Sequence, residues 1–256
     1  MRLIVAVLIV VFLGCMSRAI HYTTANAHSH NDYEQANPFH KAWQNKFGSI
    51  EADIYLHNDT LVVAHDSSQL THGRLLDSLY LAPLQEVLKK NKGYVYDDTT
   101  QSLQLMIDIK SGGELTLAHL IDELDVLESI TNSPSLKIVI SGNRPQPEMF
   151  SRYPSWIMFD GELNKEYSPE ALQKIEMLSD NFANYSTWKG KGTISSKDRE
   201  ALKQAISKAH RLNKKVRFWN APDSPAAWEL FMNLQVDNLN TDKFQELTQF
   251  ISERRE

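Results

Sequence analysis

The sequence contains a single cysteine, Cys15, in 256 residues. An internal disulfide is therefore excluded, and stability must rest on the hydrophobic core. There is no excess of positive charge: the net charge is -5. That removes any general attraction to nucleic acid or to an anionic membrane, so recognition of phosphate has to come from local groups. No apolar run reaches the ~20 residues of a membrane-spanning helix. After residue 27 there is no repeat, no low-complexity tract and no Pro/Ser-rich linker, which speaks against a string of small modules. A Gly-rich turn after the first candidate strand is also missing, which disfavours an open, dinucleotide-binding sheet.

What the chain does have begins with Arg2 and an apolar run over 3–14, the length of a signal-peptide core. The run ends in "FLGC", which resembles a bacterial lipoprotein cleavage box with Cys15 as the lipidated residue. Residues 1–27 are therefore expected to be a signal peptide cut before Cys15 plus a short linker, and 28–256 a single exported domain held to the membrane by a lipid anchor. An ordinary cleavage before Ile20 or before His28 is the alternative.

Beyond the leader, short β-branched runs alternate with amphipathic stretches. Candidate strands are 27–30, 49–56, 60–64, 103–109, 136–140, 156–159, a short one around 177–178, 215–219 and 236–240. Candidate helices are 38–46, 83–90, 115–130, 169–175, 196–212 and 225–234. Strand–helix alternation implies parallel strands with crossover helices. With 60–64 set aside as an extra strand beside 49–56, about eight units remain, which predicts a (β/α)₈ TIM barrel. Functional residues should then gather at the C-terminal ends of the strands.

Those ends carry a consistent chemistry. "AHSHNDY" places His28 and His30 at the end of the first strand. In "SIEADIYLHNDTLVVAHD", Glu51 and Asp53 are two apart and share one face of a strand, while Ile50, Ala52 and Ile54 share the other. Two carboxylates on one inward face repel unless a cation lies between them, and oxygen donors suit a hard divalent ion, Mg²⁺ or Ca²⁺. "LQLMIDIKSGG" adds Asp108 as a third carboxylate and Lys110 as a fixed positive charge, though the two also read as a plain ion pair at a rim. Later strand ends offer Asn143 and Arg144, Asp160, and Trp219 with Asn220. Trp219 suits stacking on a cationic or sugar head group, or else belongs to the core. Thr241 and Asp242 read as turn chemistry.

Taken together, "SIEADIYLHNDTLVVAHD", "MIDIKSG" and "VDNLNTD" resemble the Glu-x-Asp … His-Asp core, third-ligand segment and closing strand of glycerophosphodiester phosphodiesterases and the related phospholipase D branch. "HSHNDY", "IEAD" and "VRFWNAP" are most similar to the branch named for altered inheritance of mitochondria protein 6. The resemblance implies a (β/α)₈ barrel with one divalent cation on Glu51, Asp53 and Asp108. It implies two catalytic histidines, His65 and one from "AHSHNDY", and a phosphate-contacting Lys110. His28 aligns most simply with the family's His-Arg-Gly histidine, which puts Asn31 three residues on; His30 shares its side of the strand. The Arg and Gly of that motif are absent. The expected substrate is a phosphodiester or a phospholipid-derived molecule, turned over by a monomer, with no nucleic-acid partner.

Two rivals stand beside this reading. His-x-His at a first strand end also opens amidohydrolase-type barrels, but those need further histidines at later strand ends, and none is present here. A barrel that holds metal and a head group without turnover is the second.

Overall fold

The computed structural model describes residues 20–70 and 73–254. The expected signal peptide, its cleavage point and Cys15 lie outside them. Among the described residues no helix is long and apolar enough to cross a membrane.

Nine strands form one sheet: β1 (Ala27–Ser29), β2 (Ser49–His57), β3 (Thr60–Val63), β4 (Leu103–Ile109), β5 (Leu136–Gly142), β6 (Ile157–Glu162), β7 (Ile175–Asn181), β8 (Lys215–Trp219) and β9 (Leu239–Thr241). Eight run parallel in the order β8-β7-β6-β5-β4-β2-β1-β9. A parallel bridge between Arg217 and Asn238 brings the two ends together, so the wall is a nearly closed (β/α)₈ barrel. The ninth, β3, is antiparallel to β2 alone, which is the extra-strand role expected of 60–64. The turn between them, Asn58-Asp59, has both residues in the left-handed region (φ 48° and 56°), the geometry of a tight hairpin.

Around the wall lie α1 (His40–Gln44), α2 (Ala82–Lys90), α3 (Gly113–Asp125), α4 (Glu128–Thr131), α5 (Pro169–Gln173), α6 (Ser196–Arg211), α7 (Pro225–Leu234) and α8 (Phe244–Glu253). Two helix starts, those of α6 and α5, carry a serine cap. The Ser195 hydroxyl accepts from Asp198 N at 3.1 Å and the Ser168 hydroxyl from Ala171 N at 3.2 Å. Three expectations need correction. The single helix over 115–130 is two, because Leu127 leaves the helical region (φ -100°, ψ 65°). The helix expected to reach residue 175 stops at Gln173, and Ile175 starts β7 instead. Helix α8 was not anticipated, although Phe244, Leu247 and Ile251 give it one buried stripe.

Strand alternation sorts the side chains into two compartments. On β2 and β4, Ile50, Ala52, Ile54, Leu105, Ile107 and Ile109 are buried in the main core between wall and helices. The opposite faces look into the barrel. There Met106, Val139 and Met177 form a small apolar cluster with Met158 against it. Above this plug the inward positions turn polar, and that change of character builds the site.

Candidate active site

Backbone register sets the layers. Glu51 is level with Met106, and Asp53 with Asp108. Each carboxylate of "SIEAD" therefore lies at or one step above the apolar plug. The metal-capable oxygens of Glu51, Asp53 and Asp108 all lie within 4.8 Å of one another. Asp53 Oδ1 and Asp108 Oδ1 are buried with no hydrogen-bond partner. Unpaired buried carboxylate oxygens are costly, and two aimed into one small space are what a hard cation would satisfy. Charge counting agrees. Four carboxylates in the barrel, Glu51, Asp53 and Asp160 buried and Asp108 half-buried, face two fixed cations, Lys110 and Arg217, which leaves two negative charges over. Burial, with the Glu51 charge adding to it, pushes the Asp53 carboxyl up to about 6 and raises that of Asp108. The donor set and the orphaned oxygens fit one divalent ion, and no late-strand histidine joins them. Among the described residues this is the sole cluster of three metal-capable side chains, which counts against the amidohydrolase alternative.

Lys110 Nζ lies 3.0 Å from Asp53 Oδ2 and 3.1 Å from Asp108 Oδ2. Burial opposes its charge, but the Asp108 and Asp53 carboxylates outweigh burial and raise its pKa. It is thus a permanent ammonium at the edge of the carboxylate cluster.

The histidines separate by height. His28 pairs in register with Ser49 and with Asn240, one inward step below the level of Glu51. It is fully buried. Its Nε2 is 2.6 Å from Glu51 Oε2 and its Nδ1 is 2.7 Å from Ser49 Oγ. Ser49 Oγ in turn accepts from Gln104 at 3.1 Å. Nε2 is also 2.7 Å from Arg217 Nη1, so it sits between a carboxylate oxygen and a guanidinium nitrogen. Desolvation and then Arg217 lower the His28 pKa to about 4, so the ring stays neutral. His30 lies one step higher, at the level of Glu51 and Asp242, and is part-exposed. Its Nδ1 is 2.8 Å from Asp242 Oδ1. Burial works to lower its pKa, but the Asp242 hydrogen bond and nearby carboxylates raise it on balance.

His65 follows β3 at the rim, with half its side chain exposed. Its Nδ1 is 3.1 Å from Asp53 Oδ2 and 3.0 Å from the Tyr33 hydroxyl. Tyr33 OH also lies 2.8 Å from Asp53 Oδ2 and 2.7 Å from Asn31 Oδ1. Burial and the Asp53 charge raise the tyrosine pKa, so it remains a phenol. Asn31 itself is left-handed (φ 46°), and this turn swings Tyr33 back over the carboxylates.

The other expected residues also reach the mouth. Trp219 is 41% exposed, so it is a rim residue and not core. Asn220 Nδ2 donates to Asn181 at 2.9 Å. Arg144 is held by Glu162 at 3.1 Å, away from the carboxylate cluster.

Three participants escaped sequence reasoning. Arg217, on β8, is buried; its Nη1 donates to Glu51 Oε2 at 2.9 Å and approaches Asn240 Oδ1 at 3.3 Å, and its Nη2 lies 3.5 Å from Asp160 Oδ2. Asp160 also accepts from Ser179. The signal was a charged residue at the inward position of "KVRFW", between Val216 and Phe218. Tyr33 stands two residues past Asn31 in the same motif. Asp242 was read as turn chemistry, though its register opposite residue 30 brings it to the site.

Residues 16–132 match the AIM6-like phosphodiesterase domain, and residues 215–244 match the glycerophosphoryl diester phosphodiesterase family. A homolog of altered inheritance of mitochondria protein 6 from Arthroderma benhamiae is 31% identical over 84% of this chain and 80% of its own length. The chain belongs to the altered inheritance of mitochondria protein 6 family. The Kluyveromyces lactis protein of that name is 28% identical over 88% of this chain and 72% of its own. Among solved structures, a glycerophosphodiester phosphodiesterase from Parabacteroides distasonis shares the fold with a TM-score of 0.51 at 15% identity, covering 91% of this chain and 97% of that one. The resemblance expected from the motifs is thereby established for family and fold.

Proposed function

We propose that the chain is a divalent-metal-dependent phosphodiesterase acting on glycerophosphodiesters or phospholipid head groups. The observation that carries this reading is the cluster of Glu51, Asp53 and Asp108, with two orphaned buried oxygens, set between two accessible imidazoles. Those three carboxylates would hold the cation, Mg²⁺ or Ca²⁺, which when bound neutralises charge on a non-bridging phosphate oxygen. Lys110 supports the same charge from the side.

His30 and His65 share the proton work. Asp242 holds Nδ1–H of His30, which leaves its Nε2 free to accept or release a proton. Tyr33 and Asp53 do the same for His65. One ring takes the proton of the attacking hydroxyl and the other delivers one to the leaving oxygen, roles that imidazoles fill near neutral pH. His28, buried and neutral, orients Glu51. This assigns the first catalytic histidine to position 30. Asn31, through its bond with the Tyr33 phenol, steadies His65. Trp219, Asn220 and Arg144 line the side where a head group would rest. We further place the mature protein outside the cytoplasm, anchored through Cys15; loss of acyl labelling in Cys15→Ala tests that.

The decisive assay uses a chromogenic bis-phosphodiester, with EDTA and with Mg²⁺ or Ca²⁺ added back. Turnover should vanish in EDTA, in His30→Ala and in His65→Ala, with the folded state retained. Metal-dependent stabilisation without turnover would leave a binding protein instead. Full activity in His30→Ala would return the role to His28.

A further inference from the structure

At the opposite end of the barrel lies a groove of about 1020 Å³. It is formed by the N-terminal ends of β5, β7 and β8, one side of α6 along its length and the segment that leads into the barrel. Six cations line it, Lys137, Arg199, Lys203, Arg211, Lys214 and Lys215, against two carboxylates, Glu176 and Asp237. On a chain of net charge -5 this is a concentrated patch of the minority sign. Both acids are already engaged. Glu176 binds Lys137 at 2.6 Å and Lys215 at 3.3 Å, and Asp237 binds His210 at 2.8 Å. Arg199, Lys203 and Arg211 have no ion-pair partner among the described residues. They fall on one ridge of α6, spaced by multiples of four, so their charges act on the same surface.

Two observations identify the kind of anion. The groove lining contains no Phe, Tyr or Trp, and its one imidazole, His210, is held by Asp237, so it lacks the stacking platforms of single-strand nucleic-acid sites. Ile20 lines it as well, and Tyr22 OH and Asn26 Nδ2 tie the entering segment down at Val236 O and Asp237 O, at 2.8 and 3.0 Å. Ile20 is thus the described residue from which the sequence leads back to Cys15 and the apolar run 3–14. Four residues lie between Cys15 and Ile20, five Cα steps with a reach of roughly 18 Å at most.

We propose that this groove docks on an anionic phospholipid bilayer, with the foot of the barrel and its α6 flank against the surface. A basic patch beside an apolar or acylated segment supplies the second of two signals that stable membrane attachment requires. The inference does not depend on turnover.

The test is sedimentation of the full chain with vesicles of phosphatidylglycerol mixed into phosphatidylcholine, against pure phosphatidylcholine. The apolar leader contributes equally to both, so the difference reads the groove. Each basic residue at an anionic surface is worth about fivefold in binding. Arg199→Gln, Lys203→Gln and Arg211→Gln together should lower affinity for the anionic vesicles on the order of 100-fold, leave phosphatidylcholine binding alone, and leave bis-phosphodiester turnover and melting temperature unchanged. High salt should remove the anionic preference of the unaltered chain. Equal binding to both vesicle types, or a preference that survives the triple change, overturns the proposal. So does soluble polyphosphate that binds the groove as tightly as vesicles do.

Discussion

Asp108→Asn offers the most direct check on the carboxylate cluster. Asp53 Oδ1 and Asp108 Oδ1 are buried and unpaired, and the enclosed charges leave two negatives uncompensated. A ligand that binds the folded state alone adds stability as RT ln(1 + [L]/Kd), about 2.7 kcal/mol at a hundredfold excess over Kd. For a chain of this size each kcal/mol moves the midpoint by roughly 2–4 °C. Mg²⁺ or Ca²⁺ at that excess should therefore raise the melting temperature of the EDTA-treated protein by roughly 5–10 °C. Asp108→Asn removes one donor and one charge, so its apo form should melt near or above the unaltered apo protein while losing most of the metal shift. Differential scanning fluorimetry across a metal titration reads both quantities. The reasoning fails if the unaltered protein shows no shift with either ion, or if Asp108→Asn keeps the whole of it.

Gly142 has φ +69°, and a Cβ there would overlap Asp108 Oδ1; Gly142→Ala should weaken the metal shift without touching a ligand, as isothermal titration would show. Arg217→Met strands Glu51 and Asp160 in the barrel, so it should cost about 3–5 kcal/mol in urea unfolding, with Arg217→Lys recovering part of the loss. Asp242→Asn keeps an acceptor for His30 Nδ1–H but removes the charge that helps hold the His30 pKa up, so the limb of the pH–rate profile set by His30 should move to lower pH. A histidine raised in the folded state stabilises fully below its unfolded pKa and loses that contribution as pH rises through the folded one. The stability deficit of Asp242→Asn should therefore be larger near about pH 5 than near about pH 9, measured by thermal melts.

The parts of the site legible in the sequence are those where one strand displays its own logic. Glu51 and Asp53 alternate with Ile50, Ala52 and Ile54, so side and role could be read locally, and Asp108 with Lys110 repeats the pattern. What was hidden depends on register between strands far apart in the chain. Choosing His30 over His28 requires knowing that residue 28 is level with Ser49. Asp242 gains its meaning only because β9 lies beside β1. Arg217 was not singled out because its partners, Glu51 and Asp160, come from two other strands. The barrel itself was readable from alternation, and helix α8 was overlooked because its short stripe follows a loop already interpreted as the end of the pattern.

The two rim imidazoles are moored differently. His30 belongs to the wall, its backbone N donating to Thr241 O at 3.1 Å. His65 rides beyond β3, a ribbon attached to the wall through β2 only. Ala64 N donates to Asp53 O at 3.1 Å, so the register of that ribbon against β2 sets the distance between the rings, and a shift in that pairing moves His65 with all eight wall strands left in step. Leaving groups of different bulk could be accommodated by that one ribbon, as an adjustable jaw works against a fixed one.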